Sequence, residues 1–292
     1  MSKTLQRTLT GLAYGLISLL TFSTYGQVFK VTNASTHKVF YLAGSIHVLR
    51  PSDQPIPSDF YEALDQSDYL VIETDLSHLD ISYSILSKGI YPSDSSLLDV
   101  IPKKLANRIS KYCDSTMLRA FPYLNLKPGL LDAFMEAMAL QDNGFNSLGV
   151  EQILLDYNAK NQQITLHYLE SVEEQILMIS KLGSNRPKKY LKKSLRKGLN
   201  IETSIEATAL AWKTGNSRFF NRSVRAFSRQ SASDYNLILA DRNKSWIEHE
   251  ILPLVHEGFK HLVVVGAMHL YGRDGLIKSL TKRGFIITEF RS

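Results

Sequence analysis

Cysteine is almost absent from this chain of 292 residues, which contains Cys113 alone. An internal disulfide is therefore excluded, and the fold must depend on a packed core. Hydrophobic residues make up 44% of the chain and charged residues 21%, which is ordinary for a globular protein. Because no recognisable motif surrounds Cys113, we expect a buried structural thiol, with a nucleophile as the alternative.

Several common catalytic motifs are also missing. The sequence has no G-x-S-x-G nucleophile elbow and no Walker A loop, which argues against a serine hydrolase of the usual type and a P-loop nucleotidase. The zincin motif H-E-x-x-H is absent too. Any metal site would therefore differ from the familiar zincin arrangement.

No long hydrophobic run is present. The uncharged apolar stretch at residues 12–22 is shorter than the roughly 20 residues that span a bilayer. It follows Lys3 and Arg7 and precedes small residues that end at Gly26. This order predicts a secretory signal peptide over residues 1–26, and hence a secreted or periplasmic protein. An uncleaved membrane anchor is the alternative.

Acidic residues are missing from one basic segment. No Asp or Glu lies between Glu174 and Glu202, and the cations there are Lys181, Arg186, Lys188, Lys189, Lys192, Lys193, Arg196 and Lys197. Residues 181–197 are either one solvated face of a helix or a surface that contacts an anionic membrane or an acidic partner. Because Tyr190 is the one aromatic residue among them, a nucleic-acid partner is not expected.

What the sequence does contain is an alternation of strand and helix patterns. Apolar runs predict strands over residues 28–31, 39–43, 69–72, 164–169, 261–265 and 285–289. Residues from about 77 to 230 have mostly helical patterns, and a long amphipathic helix is predicted over 234–249. We expect residues 27–292 to form a single α/β domain with a large helical insertion.

Two segments of the chain have the same predicted order of elements: a strand, the motif G-x-x-H, a loop, a helix and a second strand. The first contains Gly44 and His47 and ends at Glu73, and the second contains Gly266 and His269. Each is a βαβ unit, which predicts a mixed, largely parallel central sheet. Because ligands bind at the carboxyl ends of the strands in such sheets, both histidines are expected to face one cleft.

The residue types in these turns suit a reactive site. Glycine lets the backbone approach a ligand closely, so Gly44 and Gly266 are expected to bind substrate. Histidine can transfer protons or bind a metal because its pKa lies near neutrality. The alternative is that both histidines only pack at the strand ends.

Three glutamates are expected at the same edge of the sheet. Glu73 ends a buried strand, where a carboxylate is costly unless it is paired. Glu151 begins a helix, and Glu170 follows the strand at 164–169. The alternatives are a surface acid at Glu73 and acids that the helix dipole favours at Glu151 and Glu170.

These motifs resemble those of the TraB/GumN family, which is related to the Tiki metalloproteases. The resemblance rests on G-S-I-H and V-I-E-T-D within residues 41–75, on L-G-V-E-Q-I-L-L and Y-L-E-S-V-E-E-Q, on D-R-N at 241–243 and on V-V-V-G-A-M-H-L-Y-G-R-D-G-L. It covers about residues 28–292. Met268 departs from the family pattern, in which small residues are frequent at that position.

The resemblance implies an α/β superfamily that also includes erythromycin esterase-like hydrolases and haem-binding proteins of the ChaN type. By motif match, it implies the catalytic residues His47, Glu73, Glu151, Glu170, Arg242 and His269. In the Tiki-like members such residues are tied to a divalent metal, which points here to His47, Glu73 and His269. Arg242 would bind a substrate carboxylate or an oxyanion, with Asn243 also in substrate binding. A surface salt bridge is the alternative for Arg242.

The leading hypothesis is therefore metal-dependent hydrolysis of a peptide or other acyl bond. Manganese, cobalt or zinc would suit imidazole and carboxylate ligands and would lower the pKa of a bound water. Metal-free hydrolysis by histidine and glutamate, as in an esterase, is the second hypothesis. Binding of haem, a metal or a peptide without catalysis is the third.

Overall fold

The structure is a computed structural model, and it describes residues 27–74, 87–145, 149–198 and 201–291. The segment predicted to be a signal peptide lies outside these residues. Within the described ranges, no helix has the length and apolar character needed to cross a membrane.

The strands of the described residues form one mixed sheet with the order β4-β3-β5-β2-β1-β6. Their bounds are β1 Val28–Asn33, β2 Val39–Ser45, β3 Tyr69–Ile72, β4 Thr165–Tyr168, β5 His261–Gly266 and β6 Phe285–Glu289. The pairs β4–β3, β3–β5 and β5–β2 are parallel, whereas β2–β1 and β1–β6 are antiparallel. Each strand that the apolar runs predict is present.

The sheet interleaves the two βαβ units that the sequence predicts. Strand β5 lies between β2 and β3, and β6 pairs with β1 at the edge of the sheet. The two strands of each unit are therefore not neighbours. Burial explains the order: the side chains of Leu262, Val263 and Val264 are fully buried, which suits a central strand, whereas β6 exposes Ile286.

The two G-x-x-H segments take different conformations. In the first, Gly44 lies within β2 and His47 follows in a bend. In the second, Gly266 is the last residue of β5 and His269 lies in a turn of 3-10 helix. The register pairs Gly266 with Ser45, not with Gly44. The turns are thus not equivalent, although both histidines leave the same edge of the sheet.

Helices occupy most of the chain between the strands. Their bounds are α1 Ser58–Asp65, α2 Lys103–Asp114, α3 Pro128–Asp142, α4 Val150–Tyr157, α5 Val172–Lys181, α6 Pro187–Gly198, α7 Ile201–Lys213, α8 Ser217–Gln230, α9 Ala232–Tyr235, α10 Asp241–Trp246, α11 Leu252–Glu257 and α12 Leu276–Thr281. Ser171 and Glu174 form the predicted capping box before α5. Gly284, with φ of +86°, follows α12 in the left-handed conformation that ends helices.

The long helix predicted over residues 234–249 extends further and is less regular than expected. Helices α9, α10 and α11 run without a break from residue 232 to 257, because the π-helical turns Asn236–Ala240 and Ile247–Ile251 join them. Single π turns inside α-helices are frequent at functional sites. The residues of α10 lie between the two π turns.

Two large hydrophobic clusters, and a small third one around Val224, Tyr235 and Leu239, hold the described elements together. The larger packs both faces of the sheet and includes Phe40, Phe60 and Trp212. The second lies among α2, α3 and α6 and includes Cys113 and Leu131. Cys113 is buried, as expected, and burial raises its pKa to about 12. The helical middle therefore has a core of its own beside the sheet.

Candidate active site

The carboxyl ends of β2, β5, β3 and β4 lie side by side at one edge of the sheet. Glu73 directly follows β3, and Glu170 lies shortly after β4. Hydrogen bonding continues beyond these strands, since the Glu170 N–H donates to the Glu73 carbonyl at 3.0 Å. The pairing of β3 with β4 thus brings both glutamates to the edge where ligands bind in sheets of this kind.

Arg242 of α10 lies between these two carboxylates. Its Nη2 donates to Glu73 Oε2 and to Glu170 Oε1, each at 2.6 Å, and its Nε donates to Glu170 Oε2 at 3.0 Å. Its Nη1 donates to the Ile238 carbonyl and lies 3.1 Å from His269 Nε2. These contacts occupy all five N–H donors that a guanidinium carries.

Arg242 and its two glutamates are buried, so each charge is stabilised mainly by the others. The Arg242 side chain is 11% exposed, so the alternative of a surface salt bridge is wrong. Burial lowers the pKa of Arg242, but Glu73 and Glu170 outweigh that effect and raise it. Burial also opposes ionisation of Glu73. Charge interactions with His269, Arg242 and His47, together with the Gly266 N–H, which donates to Glu73 Oε1 at 2.7 Å, nevertheless hold the pKa of Glu73 below its usual value.

The segment α10 delivers three side chains to the site at once. Arg242, Asn243 and Trp246 all lie between the two π turns. The Arg242 guanidinium lies over the Trp246 ring at 4.4 Å, and that ring lies 4.6 Å from the ring of His269. The two π turns thus flank the short helical segment that meets the sheet edge.

His269 is buried and held from both ring nitrogens. Its Nδ1 lies 2.6 Å from Asn243 Oδ1, and its Nε2 faces the Arg242 Nη1. Because a guanidinium only donates, Nε2 must accept, and Nδ1 carries the proton. Burial lowers the pKa of His269 to about 3, which agrees with a neutral ring. The Asn243 Nδ2 donates to the carbonyls of His269 and Asp274, so both polar atoms of the Asn243 amide bind the segment that contains His269.

His47 has the opposite environment. Its side chain is 62% exposed, and its Nδ1 lies 3.0 Å from Glu151 Oε1. Ser45 Oγ donates to the same carboxylate oxygen. The Glu151 carboxylate raises the pKa of His47 to about 9. At neutral pH the two side chains therefore form an imidazolium and carboxylate pair, whereas His269 is neutral.

Close backbone packing positions Glu151 against His47. A side-chain carbon added at Gly149 would lie 2.5 Å from the His47 carbonyl oxygen, so only glycine fits there. The Val150 N–H donates to the Ile46 carbonyl at 3.1 Å. The start of α4 is thereby attached to the first G-x-x-H segment, and Glu151 lies in its first turn.

Gly266 marks the point where the two histidine segments meet. A carbon added at Gly266 would lie 3.3 Å from His47 Nε2, 3.4 Å from Glu73 Oε1 and 3.8 Å from His269 Cδ2. The exposed nitrogen of His47 therefore points toward the buried cluster of Arg242, Glu73, Glu170 and His269. The spacing of the two motifs predicts this meeting, and the structure brings the residues together.

Gly44 lies beneath the site. A carbon added there would lie 2.8 Å from Leu270 Cδ1 and 3.2 Å from Ala267 Cα, and the Trp212 Nε1 donates to the Gly44 carbonyl at 2.6 Å. Gly44 is buried and lets the turn after β5 pack closely on β2. Its contact with a substrate stays a prediction.

The three predicted metal ligands do not present three free donors in this arrangement. His47 Nε2 and Glu73 Oε1 face the same space, but His269 Nε2 accepts from Arg242 and lies 4.0 Å from Glu73 Oε1. Across the described residues, no group of three or more His, Cys, Asp or Glu side chains is arranged to hold a metal ion. The donor set does not fit a metal as it stands, and a divalent metal stays a prediction.

Sequence reasoning missed two residues of the site, Ser45 and Trp246. Ser45 is 1% exposed and bonds Glu151, although it stands inside the G-S-I-H motif that the sequence singles out. Trp246 is 2% exposed and touches both Arg242 and His269. Its position four residues after Arg242, on the same helical face, is the signal that points to it.

The comparisons with known proteins cover almost the whole chain. A model of the TraB/PrgY/gumN family matches residues 28–289. The Uncharacterized protein YbaP of Escherichia coli K12 is 26% identical over 262 residues, which cover 82% of this chain and 87% of the relative. The protein of the same name from Shigella flexneri is 26% identical over 261 residues, with the same coverage. No solved structure matches the chain. Since the family match includes every residue of the candidate site, this protein belongs to the TraB/PrgY/gumN family.

Proposed function

We propose that this protein is a hydrolase that cleaves a peptide or other acyl bond, with His47 as the residue that transfers protons. The observation that carries the proposal is the His47–Glu151 pair. His47 is 62% exposed, its Nδ1 is bound to the Glu151 carboxylate, and its Nε2 lies 3.3 Å from the position that a side-chain carbon at Gly266 would take. A carboxylate on one ring nitrogen leaves the other free to act as a general base.

In the proposed reaction, the deprotonated Nε2 of His47 takes a proton from a water molecule. The hydroxide oxygen then forms a bond to the acyl carbon, and Glu151 stabilises the imidazolium that results. As the bond to the leaving nitrogen or oxygen breaks, His47 gives the proton to that atom. Water is thereby divided between the two products, and His47 returns to its starting state.

The buried cluster of Arg242, Glu73, Glu170 and His269 would form the fixed wall beside His47. Because every donor of Arg242 has a partner within the protein, its role in this proposal is to hold Glu73, Glu170 and His269 in place. A substrate carboxylate would reach Arg242 only by displacing one of the two glutamates. Groups locked in this way give a site a defined geometry before substrate binds.

A divalent metal is the second candidate, and one observation favours it. His47 Nε2 and Glu73 Oε1 both lie within 3.4 Å of the position that a side-chain carbon at Gly266 would take. Manganese, cobalt and zinc are the ions that suit imidazole and carboxylate ligands. Binding would require His47 to lose its proton and His269 Nε2 to leave Arg242.

A panel of fluorogenic peptides and aryl esters, assayed in the presence of a chelator, tests the first proposal. We expect turnover in the wild type, a loss of at least about 100-fold in His47→Ala, and no change in His256→Ala, which alters an exposed histidine of α11. Equal activity of His47→Ala and the wild type would remove His47 from the mechanism.

Metal content, measured by mass spectrometry, separates the two candidates. Metal that is present near one ion per chain in the wild type and lost in His47→Ala/His269→Ala would favour metal-dependent hydrolysis. Turnover that persists in chelator favours the metal-free route. If no substrate of either class is cleaved but added haem gives a visible absorbance band, the protein is a binding protein.

We also infer that residues 1–26 are a signal peptide and that the protein is exported. The apolar run at residues 12–22 supports this, as does the start of β1 at Val28, soon after the expected cleavage site. Mass spectrometry of protein from a periplasmic fraction should give a chain that begins at Gln27. A chain that retains residues 1–26 would argue for an anchor.

A further inference from the structure

Helix α8 carries a row of arginines that the candidate site does not use. Arg218, Arg222, Arg225 and Arg229 are separated by three or four residues, and all four are exposed. At 100° per residue, this spacing places them within an arc of about 60°. At 1.5 Å per residue, the row is about 16 Å long.

The row points away from the protein. Phe220 and Val224, on the opposite side of α8, are 1% and 2% exposed. Among the residues that the structure describes, none of the four arginines forms an ion pair. The sequence from residue 207 to 233 contains no Asp or Glu. The charges of this row are therefore left without a local counter-charge in the described part of the chain.

Helix α6 extends the positive surface. Its Leu191 and Leu195 are buried in the second core. Its other side exposes Lys188, Lys189, Lys192, Lys193, Arg196 and Lys197, of which Lys197 is paired with Glu136 of α3 at 2.7 Å. Lys193 Nζ donates to Gln230 at the end of α8. This bond joins α6 to the carboxyl-terminal end of α8, and both helices come from stretches of sequence without acids, 175–201 and 207–233.

We propose that α6 and α8 together form a surface that binds the phosphate headgroups of an anionic lipid bilayer. Guanidinium groups match phosphate oxygens in pairs, which favours a phosphate-bearing partner for the arginine row. The cations lie on two helices that join at the end of α8, and this spread suits a bilayer better than a single acidic peptide chain. Each cation near an anionic bilayer strengthens binding by about fivefold, so a cluster of this size is enough for peripheral binding.

Vesicle co-sedimentation tests the proposal with the protein as it is purified from the cell fraction that contains it. The probes are vesicles of phosphatidylcholine with about 30% phosphatidylglycerol and vesicles of phosphatidylcholine alone. We expect the wild type to sediment with the anionic vesicles only, and less as salt rises. Arg222→Glu/Arg225→Glu should weaken this binding at least tenfold.

A matched variant separates a specific surface from net charge. Lys278→Glu/Lys282→Glu reverses two exposed cations at α12, changes the net charge equally, and should leave binding within about twofold of the wild type. Circular dichroism checks that both variants fold. Absence of wild-type binding, equal loss in both variants, or unchanged binding in the α8 variant would overturn the proposal. So would tighter binding to soluble polyglutamate than to the anionic vesicles.

Discussion

The two G-x-x-H histidines end in opposite protonation states because their surroundings differ. His47 is mostly exposed and has the Glu151 carboxylate on Nδ1, which raises its pKa to about 9. His269 is buried and faces a guanidinium, and burial lowers its pKa to about 3. One site thus holds a charged and a neutral imidazole at pH 7. In the proposed reaction, His47 transfers protons while His269 stays fixed.

Glu151→Gln should lower the pKa of His47 from about 9 toward the ordinary histidine value of 6.5, because the carboxylate is the main cause of the shift. Titration of the imidazole signals by NMR measures this directly. In the wild type, the pair stabilises the fold fully at pH values below about 6.5 at which Glu151, whose own pKa is lowered, is still ionised, and this contribution is lost as the pH rises through about 9. Glu248→Gln, which alters a glutamate paired with Arg283, is the control. An unchanged titration of His47 in Glu151→Gln would contradict the pairing.

If His47 is the general base, the rate of hydrolysis should follow its deprotonation. We expect kcat/KM of the wild type to rise about tenfold per pH unit up to about pH 9, the pKa of His47. In Glu151→Gln, the midpoint of this rise should move to lower pH while the plateau falls. A rate that decreases as the pH rises through 9 would show that protonated His47 is the reactive form.

Arg242→Met should destabilise the protein strongly, because Glu73 and Glu170 would be left as buried carboxylates without their cation. Breaking a buried pair of this kind costs about 3–5 kcal/mol of unfolding free energy, which chemical denaturation measures. Arg283→Met, which breaks a half-exposed pair with Glu248, should cost no more than about 1 kcal/mol. Similar losses in both variants would argue against a central role for Arg242.

At the scale of elements, the site depends on how α4 meets the loop after β2. Glu151 is in place because Gly149 lets the helix approach the His47 backbone and because Val150 bonds the Ile46 carbonyl. At the other side of the sheet edge, two π turns place α10 against the turn after β5. Two helices from distant parts of the chain thus each supply the partner of one histidine.

Gly149→Ala should disturb this contact, because the added carbon would lie 2.5 Å from the His47 carbonyl oxygen. Since that atom belongs to the backbone, α4 must shift, at a cost of about 1–3 kcal/mol in unfolding free energy. The pKa of His47 should fall as Glu151 moves away. Gly198→Ala, where the nearest atom is Tyr112 Oη at 3.4 Å, should change neither quantity. If His47 kept its wild-type pKa of about 9 in Gly149→Ala, this account would be wrong.

At the scale of the whole molecule, buried histidines should make the fold sensitive to acid. Burial lowers the pKa of His261 to about 4 and that of His269 to about 3. Between about pH 6.5 and 5, these histidines bind protons in the unfolded chain but not in the folded one. As the pH decreases through this range, the unfolding free energy should therefore fall by about 1.4 kcal/mol per pH unit for each histidine. Urea unfolding over this range measures the slope.

His261→Phe isolates the share of one histidine. His261 stacks on Phe40 at 4.7 Å, and its buried Nε2 has no partner among the described residues. Phenylalanine keeps the ring stacking and loses one hydrogen bond, that of Nδ1 with the Phe259 carbonyl. The slope should fall by about 1.4 kcal/mol per pH unit relative to the wild type. The exposed variant His256→Phe should keep the wild-type slope. An unchanged slope in His261→Phe would show that His261 is protonated in the folded state.

Much of this arrangement could be predicted from local patterns. The apolar runs indicate the strands, and the positions of His47, Glu73 and Glu170 after strand ends place them at one sheet edge. The order of strands could not be predicted, because β5 enters between β2 and β3 from more than 180 residues away in sequence. Nor could the π turns, since they depend on how residues 232–257 pack as a unit.

The sequence by itself determines which residues follow the carboxyl ends of the strands, because apolar runs and the glycines after them are patterns of neighbouring residues. It also determines the family, through motifs that keep their order along the chain. Only the tertiary structure decides the state of each side chain. Arg242 and Glu73 are 169 residues apart, and Ser45 and Glu151 are 106 apart. The distance in space between such partners sets the charge, tautomer and pKa of each side chain. Patterns of neighbouring residues cannot predict that distance.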